Sequence, residues 1–243
     1  MKSDSEKLYL ATYNIHDFEV PLTVVDMSIF AIINKQLHVL LVKRNDHPFK
    51  GIYALPGGFI NMKDDADIEG TAHRKLFEKT GISSPYLEQV STIGNKTRDP
   101  RGWSVTILYF ALINYLSVRP IEEKEEDVKW YPLKEAYKKK LAFDHNLLLI
   151  TAANRLKSKT RYTALPVSLM PPLFTLTELQ SIFEIILDVK LQKKAFRKRL
   201  LDSNAVQGTE ESKIVGKRPA QLYRAISLPG DLEFPRAIEL HKH

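Results

Sequence analysis

The chain has 243 residues, of which 44% are apolar and 27% charged, enough for one or two soluble domains with proper cores. It contains no cysteine, which excludes disulfides and thiolate zinc sites and suits a reducing, cytoplasmic compartment. Its net charge of +7 is unevenly placed: residues 1–150 hold 20 basic and 20 acidic side chains, so all of the excess follows residue 150, as in a C-terminal module that faces a polyanion.

From the N-terminus, Met1 to Asp17 carries acids and lacks an apolar centre, so no signal peptide is expected. No apolar run approaches a membrane span, and Asp26 interrupts the longest strand-like one. Leu22 to Ile33 and Leu37 to Lys43 read as strands rich in Val, Ile and Leu, joined by a turn at Asn34-Lys35. Arg44 ends the second strand and is a phosphate candidate. A loop and a short strand then lead to Leu55-Pro56-Gly57-Gly58-Phe59, followed by the helical run Thr71 to Ile82.

Here the sequence resembles the Nudix family of pyrophosphohydrolases, in which a Gly loop feeds a helix reading Arg-Glu-apolar-x-Glu-Glu-x-Gly-apolar. Arg74, Leu76, Glu78, Gly81 and Ile82 occupy matching positions. Lys75 and Lys79 stand where the family has two of its Glu residues, and about two extra residues separate Asp64 from Arg74. Positions 75 and 79 are four apart and share one helix face. In the family that face holds carboxylates for Mg²⁺, a hard cation that wants oxygen ligands. Two ammonium groups repel such an ion, so hydrolysis is expected to be lost and the ligand-binding cavity kept. Either the lysines pair directly with phosphate oxygens, or they are ordinary solvated helix lysines. Acids at Asp64, Asp65, Asp67 and Glu69 suit a helix start on dipole grounds alone.

Strands are expected at Leu87 to Ile93, Val105 to Ile113 and Val128 to Tyr131, with an acidic loop (Glu122, Glu123, Glu125, Glu126, Asp127) before the last. The segment Asp99-Pro100-Arg101-Gly102-Trp103 resembles the loop that ADP-ribose-directed Nudix proteins place near their ligand. Arg98 and Arg101 would reach phosphates, whereas Trp103 is expected to be buried in a surface turn. A helix follows from Leu141 to about Lys157 with Asp144 as its N-cap. Thr163 to Pro172, with three prolines, reads as a linker.

Thr175-Leu176-Thr177-Glu178 is a capping box, with Phe174 as its staple, opening a helix through Leu179, Ile182, Phe183 and Ile186. After a turn at Asp188-Val189, a second helix over Gln192 to Leu201 would bury Phe196 and Leu200 and turn Lys193, Lys194, Arg197 and Lys198 outward. Val206 to Ile226 reads as a hairpin tipped by Lys213, Lys217 and Arg218. Helix, basic helix, basic hairpin is the order of a winged helix-turn-helix.

The fold expected is α+β: a Nudix-like α/β/α sandwich over residues 1–157 and a small winged helix-turn-helix over 158–243. The combination is similar to the Nudix-related transcriptional regulators of NAD metabolism, the NrtR family, over about residues 20 to 226. That resemblance implies a homodimeric repressor of NAD-biosynthesis genes on a palindromic operator, with ADP-ribose as effector, no cofactor or metal, and no membrane partner. ADP-ribose would meet Arg44, Gly57, Gly58, Phe59, Lys75, Lys79, Arg98 and Arg101. DNA would meet Gln192, Lys193, Lys194, Arg197, Lys198, Lys213, Lys217 and Arg218. Two alternatives stay open: an active hydrolase holding metal on Asp64, Asp65 and Glu78, and a sugar-responsive Nudix-fold repressor, against which the Arg98 to Trp103 segment weighs.

Overall fold

The computed structural model describes residues 4–82, 86–117, 127–216, 218–226 and 232–239; Lys217 and the acids at 122, 123, 125 and 126 lie outside them. A short helix α1 (Asp4–Thr12) buries none of its residues. β1 (Leu22–Ile33) and β2 (Gln36–Lys43) form the expected hairpin, and Asn34 and Lys35 both take positive φ, 49° and 58°, in the turn between them. β3 (Tyr53–Ala54) leads into the Gly loop, whose Gly57–Phe59 forms β4, α2 (Ile68–Thr80) follows, and β5 (Tyr86–Asn95), β6 (Ser104–Leu112) and β7 (Val128–Pro132) complete one seven-stranded sheet. Its order is β3-β2-β1-β6-β5, with β4 also on β1 and β7 also on β2; only the β1–β6 pairing is parallel.

Alternation along the central strands builds two cores. Val25, Met27, Ile29 and Ala31 of β1 join Ile107 and Tyr109 of β6 under Ala72 and Leu76 of α2. Phe30, with Leu108, Phe110 and Leu112, packs instead against Leu148, Leu149, Ala152 and Leu156 of α4 (His145–Thr160), beyond the short α3 (Leu133–Ala136). These faces are the two sides of the expected sandwich. Twelve residues make β1 long enough to split one edge, pairing Phe30–Ile33 with β2 and Val24–Asp26 with β4. The gap between those partners is where the site forms.

The C-terminal module comprises α5 (Leu176–Leu187), α6 (Lys193–Asp202) and the hairpin of β8 (Val206–Val215) and β9 (Arg218–Ala225). The capping box forms as expected: the Glu178 amide donates to Thr175 Oγ1 at 3.2 Å, and the Thr175 amide donates back to Glu178 Oε2 at 2.8 Å. Phe183, Phe196 and Leu200 anchor the core of the module, and backbone hydrogen bonds between Phe174 and Tyr223 pin the start of α5 to the wing.

Three expectations need correction. Thr163 to Pro172 is not a loose linker: Leu165–Leu169 forms a 3₁₀ helix whose Leu165, Pro166, Val167 and Leu169 are buried between the two cores. Proline is tolerated in the first turn of such a helix, where Pro166 is the second residue, and the apolar residues around it decide the outcome. Asp144 stands at the N-cap of α4 but caps nothing, because its carboxylate is taken by Arg98. Trp103 is not buried; the residue is 52% exposed and its ring leans against Gly94, where an added Cβ would come within 2.9 Å of it.

Candidate functional site

The split edge of β1 opens a cavity of about 240 Å³ beside the Gly loop. Gly57 is required there by space: a Cβ would come within 2.4 Å of both Asp26 Oδ1 and the Val25 carbonyl oxygen. One wall is cationic and aromatic. The Arg44 guanidinium lies 4.7 Å from the Phe143 ring centroid, and that of Arg101 lies 5.3 Å from Phe59 and 5.8 Å from Phe143. Burial, and then the positive charge of Arg101, push Arg44 below its ordinary pKa, so an anion placed between the two would relieve both effects. Asp99 holds the Nε and Nη2 of Arg101 with contacts of 2.7 to 3.2 Å and raises its pKa, and the Arg101 side chain lines the cavity.

Behind this wall lies a buried polar network. Arg98 donates to Asp144 at 3.0 and 3.1 Å, to Ser104 at 3.2 Å and to Asp26 at 3.4 Å. Thr106 donates to the same Asp26 oxygen at 2.8 Å. The Leu55 amide donates to His145 Nδ1 at 2.9 Å, so the ring proton sits on Nε2, 3.7 Å from Asp26 Oδ1. Burial lowers the His145 pKa and keeps the ring neutral, despite the nearby carboxylates. Satisfied in this way, Arg98 and Asp26 position the loop and the start of α4 around the cavity.

Six of the eight ligand candidates come together here: Arg44, Gly57, Gly58, Phe59, Arg98 and Arg101. Of these, Arg98 has its donors committed to side chains of this chain. Lys75 instead lines an adjoining open depression together with Gly58, Phe59 and Arg74, and its stem crosses Gly58 closely enough that a Cβ there would come within 2.8 Å of it. Its ammonium pairs with Glu78 at 2.9 Å. Lys79, one turn on, lines neither space. Sequence reasoning missed Asp26, Asp99, Phe143 and His145 as parts of the site. A lone carboxylate inside an apolar strand was the available signal for Asp26.

In the C-terminal module Gln192 caps α6 by accepting from the Ala195 amide at 2.6 Å, and Lys193, Lys194 and Lys198 are exposed. Lys198 pairs with Asp202 at 2.9 Å. Arg197 departs from the outward placement expected of it: it is half-buried and donates to Thr177 Oγ1 of α5 at 3.3 Å. On the wing, Lys213 reaches Glu178 at 2.6 Å and Arg218 is exposed. The second helix and the hairpin thus each carry lysines and arginines, the residue types that grip backbone phosphates around a major-groove helix.

A sandwich with a charged cavity, joined to a winged helix with basic residues on helix and wing, defines the class of two-domain Nudix transcriptional regulators. Residues 22–150 match the NUDIX domain and residues 166–225 the NrtR DNA-binding winged helix domain. The chain is 55% identical over 239 residues, 98% of its own length and 96% of the other's, to the ADPR responsive transcriptional repressor NtrR of Acinetobacter baylyi. It superposes on the crystal structure of Shewanella oneidensis NrtR complexed with a 27mer DNA with a TM-score of 0.86 at 41% identity, covering 90% of this chain and all of that one. The Nudix domain of the same Shewanella protein, cocrystallised with ADP ribose, matches with a TM-score of 0.57 at 45% identity over 64% of this chain and 99% of that one. The chain belongs to the NrtR family.

Proposed function

We propose that this chain is a transcriptional repressor of NAD-biosynthesis genes that holds its operator through α6 and the β8–β9 wing and releases it when ADP-ribose fills the cavity. Residues 1–157 form the effector domain and 158–243 the DNA-binding module. Two copies bind a palindromic operator in the cytoplasm, at the nucleoid, without any cofactor. The observation that carries the reading is the placement of Arg44 and Arg101 in one cavity, each held against the aromatic rings of Phe143 and Phe59, which offers a diphosphate two cations. Lys75 adds positive charge in the adjoining depression; the DNA-bound relative shares both domains, and the ADP-ribose-bound one shares the Nudix domain.

The domain binds ADP-ribose without cleaving it. Asp65 is gripped by Arg74 at 2.6 and 2.7 Å, which holds its carboxyl far below the usual range, and it also accepts from Thr71 and the Asn61 amide. Burial raises the Glu78 pKa, but hydrogen bonds from Lys75 and Arg74 bring it below normal. Both acids already have cations, so Mg²⁺ would have to displace an arginine or a lysine to reach them. Band-shift titration of a palindromic operator complex with ADP-ribose tests the regulator, and release below millimolar ligand is expected. A complex that persists rejects the effector, and AMP accumulating from ADP-ribose and Mg²⁺ rejects the loss of hydrolysis.

A further inference from the structure

Residues 232–239 lie beyond the segment that matches the winged helix family, which ends at 225. They run along the chain just after α4. The Ala164 amide donates to the Leu232 carbonyl at 3.0 Å, the Phe234 amide to that of Tyr162 at 2.7 Å, and the Ile238 amide to that of Arg161 at 2.6 Å. Arg161 Nε adds a bond to the Ile238 carbonyl at 3.2 Å. Phe234 and Ile238 are 6% and 2% exposed, and the Phe234 ring centroid sits 6.0 Å from that of Phe183 in the core of the DNA-binding module. On its other side the segment is held by the basic helix itself: Arg199 of α6 donates to the carbonyls of Arg236 at 3.0 Å and Ala237 at 3.4 Å.

One stretch of backbone thus joins the end of α4 to α6. α4 has 16 residues, a rod of about 24 Å. At its other end Phe143 and His145 line the ligand cavity, and Asp144 between them holds Arg98. Ile186 places α5 in the core beneath α4, so α5 already follows the effector domain. α5 also packs directly on α6, with the Phe183 and Phe196 ring centroids 5.0 Å apart, and residues 232–239 add a second connection that runs from the end of α4 itself to α6. We propose that this C-terminal segment is the tether that carries a displacement of α4, caused by ligand at its first turn, to the DNA-reading helix. Arg199 is its positioning residue: bound to carbonyl oxygens, its guanidinium sets where α6 lies and is not spent on phosphate. The inference rests on the effector reading above.

Three proteins test it: the full chain, the full chain with Arg199→Met, and a chain ending at residue 231. Operator affinity is measured by fluorescence anisotropy with and without saturating ADP-ribose, and ADP-ribose affinity of the DNA-free protein by calorimetry. In the full chain ADP-ribose is expected to weaken operator binding by a factor within the usual 5- to 150-fold range of allosteric coupling. In both variants that factor is expected to fall below about threefold while ADP-ribose affinity stays within about twofold of the full chain. Unchanged coupling in the variants overturns the tether alone, whereas a full chain indifferent to ADP-ribose overturns the effector reading and the tether with it. Should the shortened chain fail to fold, hydrogen exchange on the full chain decides: ADP-ribose must change exchange at the Phe234 and Ile238 amides, and unchanged rates overturn the proposal.

Discussion

Arg98 and Asp144 face each other in a two-bond contact, 3.0 and 3.1 Å, that fastens the loop before β6 to the head of α4. The Arg98 side chain is only 4% exposed, so losing it takes the cation from two carboxylates, those of Asp144 and Asp26, and leaves Asp26 with Thr106 as its neutral donor. Arg98→Ala is expected to cost about 3–5 kcal/mol in urea unfolding. Arg101, 38% exposed on the cavity wall, differs: its loss affects one carboxylate, that of Asp99, which keeps the backbone amide of residue 101 as a donor, so Arg101→Ala should cost less, about 1–3 kcal/mol. It should nevertheless weaken ADP-ribose binding about tenfold or more, measured calorimetrically. Equal stability losses in the two variants would contradict this division of labour.

The Gly loop makes a steric prediction. A methyl group at position 57 would press on a backbone carbonyl and on Asp26, neither of which can swing away. Gly57→Ala should therefore destabilise the fold by about 1–3 kcal/mol and close the cavity to ligand. At Gly58 the obstacle is the flexible end of Lys75, so Gly58→Ala should be milder in thermal unfolding.

Burial keeps His145 below its ordinary pKa of 6.5, so at mildly acidic pH the unfolded chain binds a proton that the folded chain refuses. Stability from the neutral ring is complete above that value and is lost as pH falls below it toward the folded pKa. The folded protein should lose stability as pH falls below about 6.5, and His145→Gln should flatten that slope in denaturant titrations. An identical slope in the variant would remove His145 as the cause.

On the DNA side, Lys193 and Lys194 are exposed on the first turn of α6. Each alanine substitution should weaken operator and unrelated DNA alike and reduce the slope of log affinity against log salt by about one. Lys213, engaged with Glu178, should show a smaller change.

Much of this molecule was legible because its signals are local. The β1–β2 hairpin, the Nudix-like helix, the capping box and the wing each follow from period, turn residues and caps within about a dozen positions. The site was half legible. Arg44, Gly57, Gly58, Phe59 and Arg101 do meet in one cavity. What escaped depends on contacts between residues far apart in sequence: Asp26 meets Arg98 and Thr106 only once β1 and β6 pair. Asp144 likewise gives up its cap to an arginine 46 positions away. The prolines after α4 suggested a loop, but Leu165, Val167 and Leu169 had a core to fill on either side.

Ligand and operator must be linked reciprocally if one chain reads both, since each changes affinity for the other by the same factor. The direct measurement is calorimetric titration of ADP-ribose into the protein alone and into the protein saturated with operator. The account predicts that operator weakens ADP-ribose binding by the same factor by which ADP-ribose weakens operator binding. ADP-ribose binding equally tight with and without DNA would contradict it.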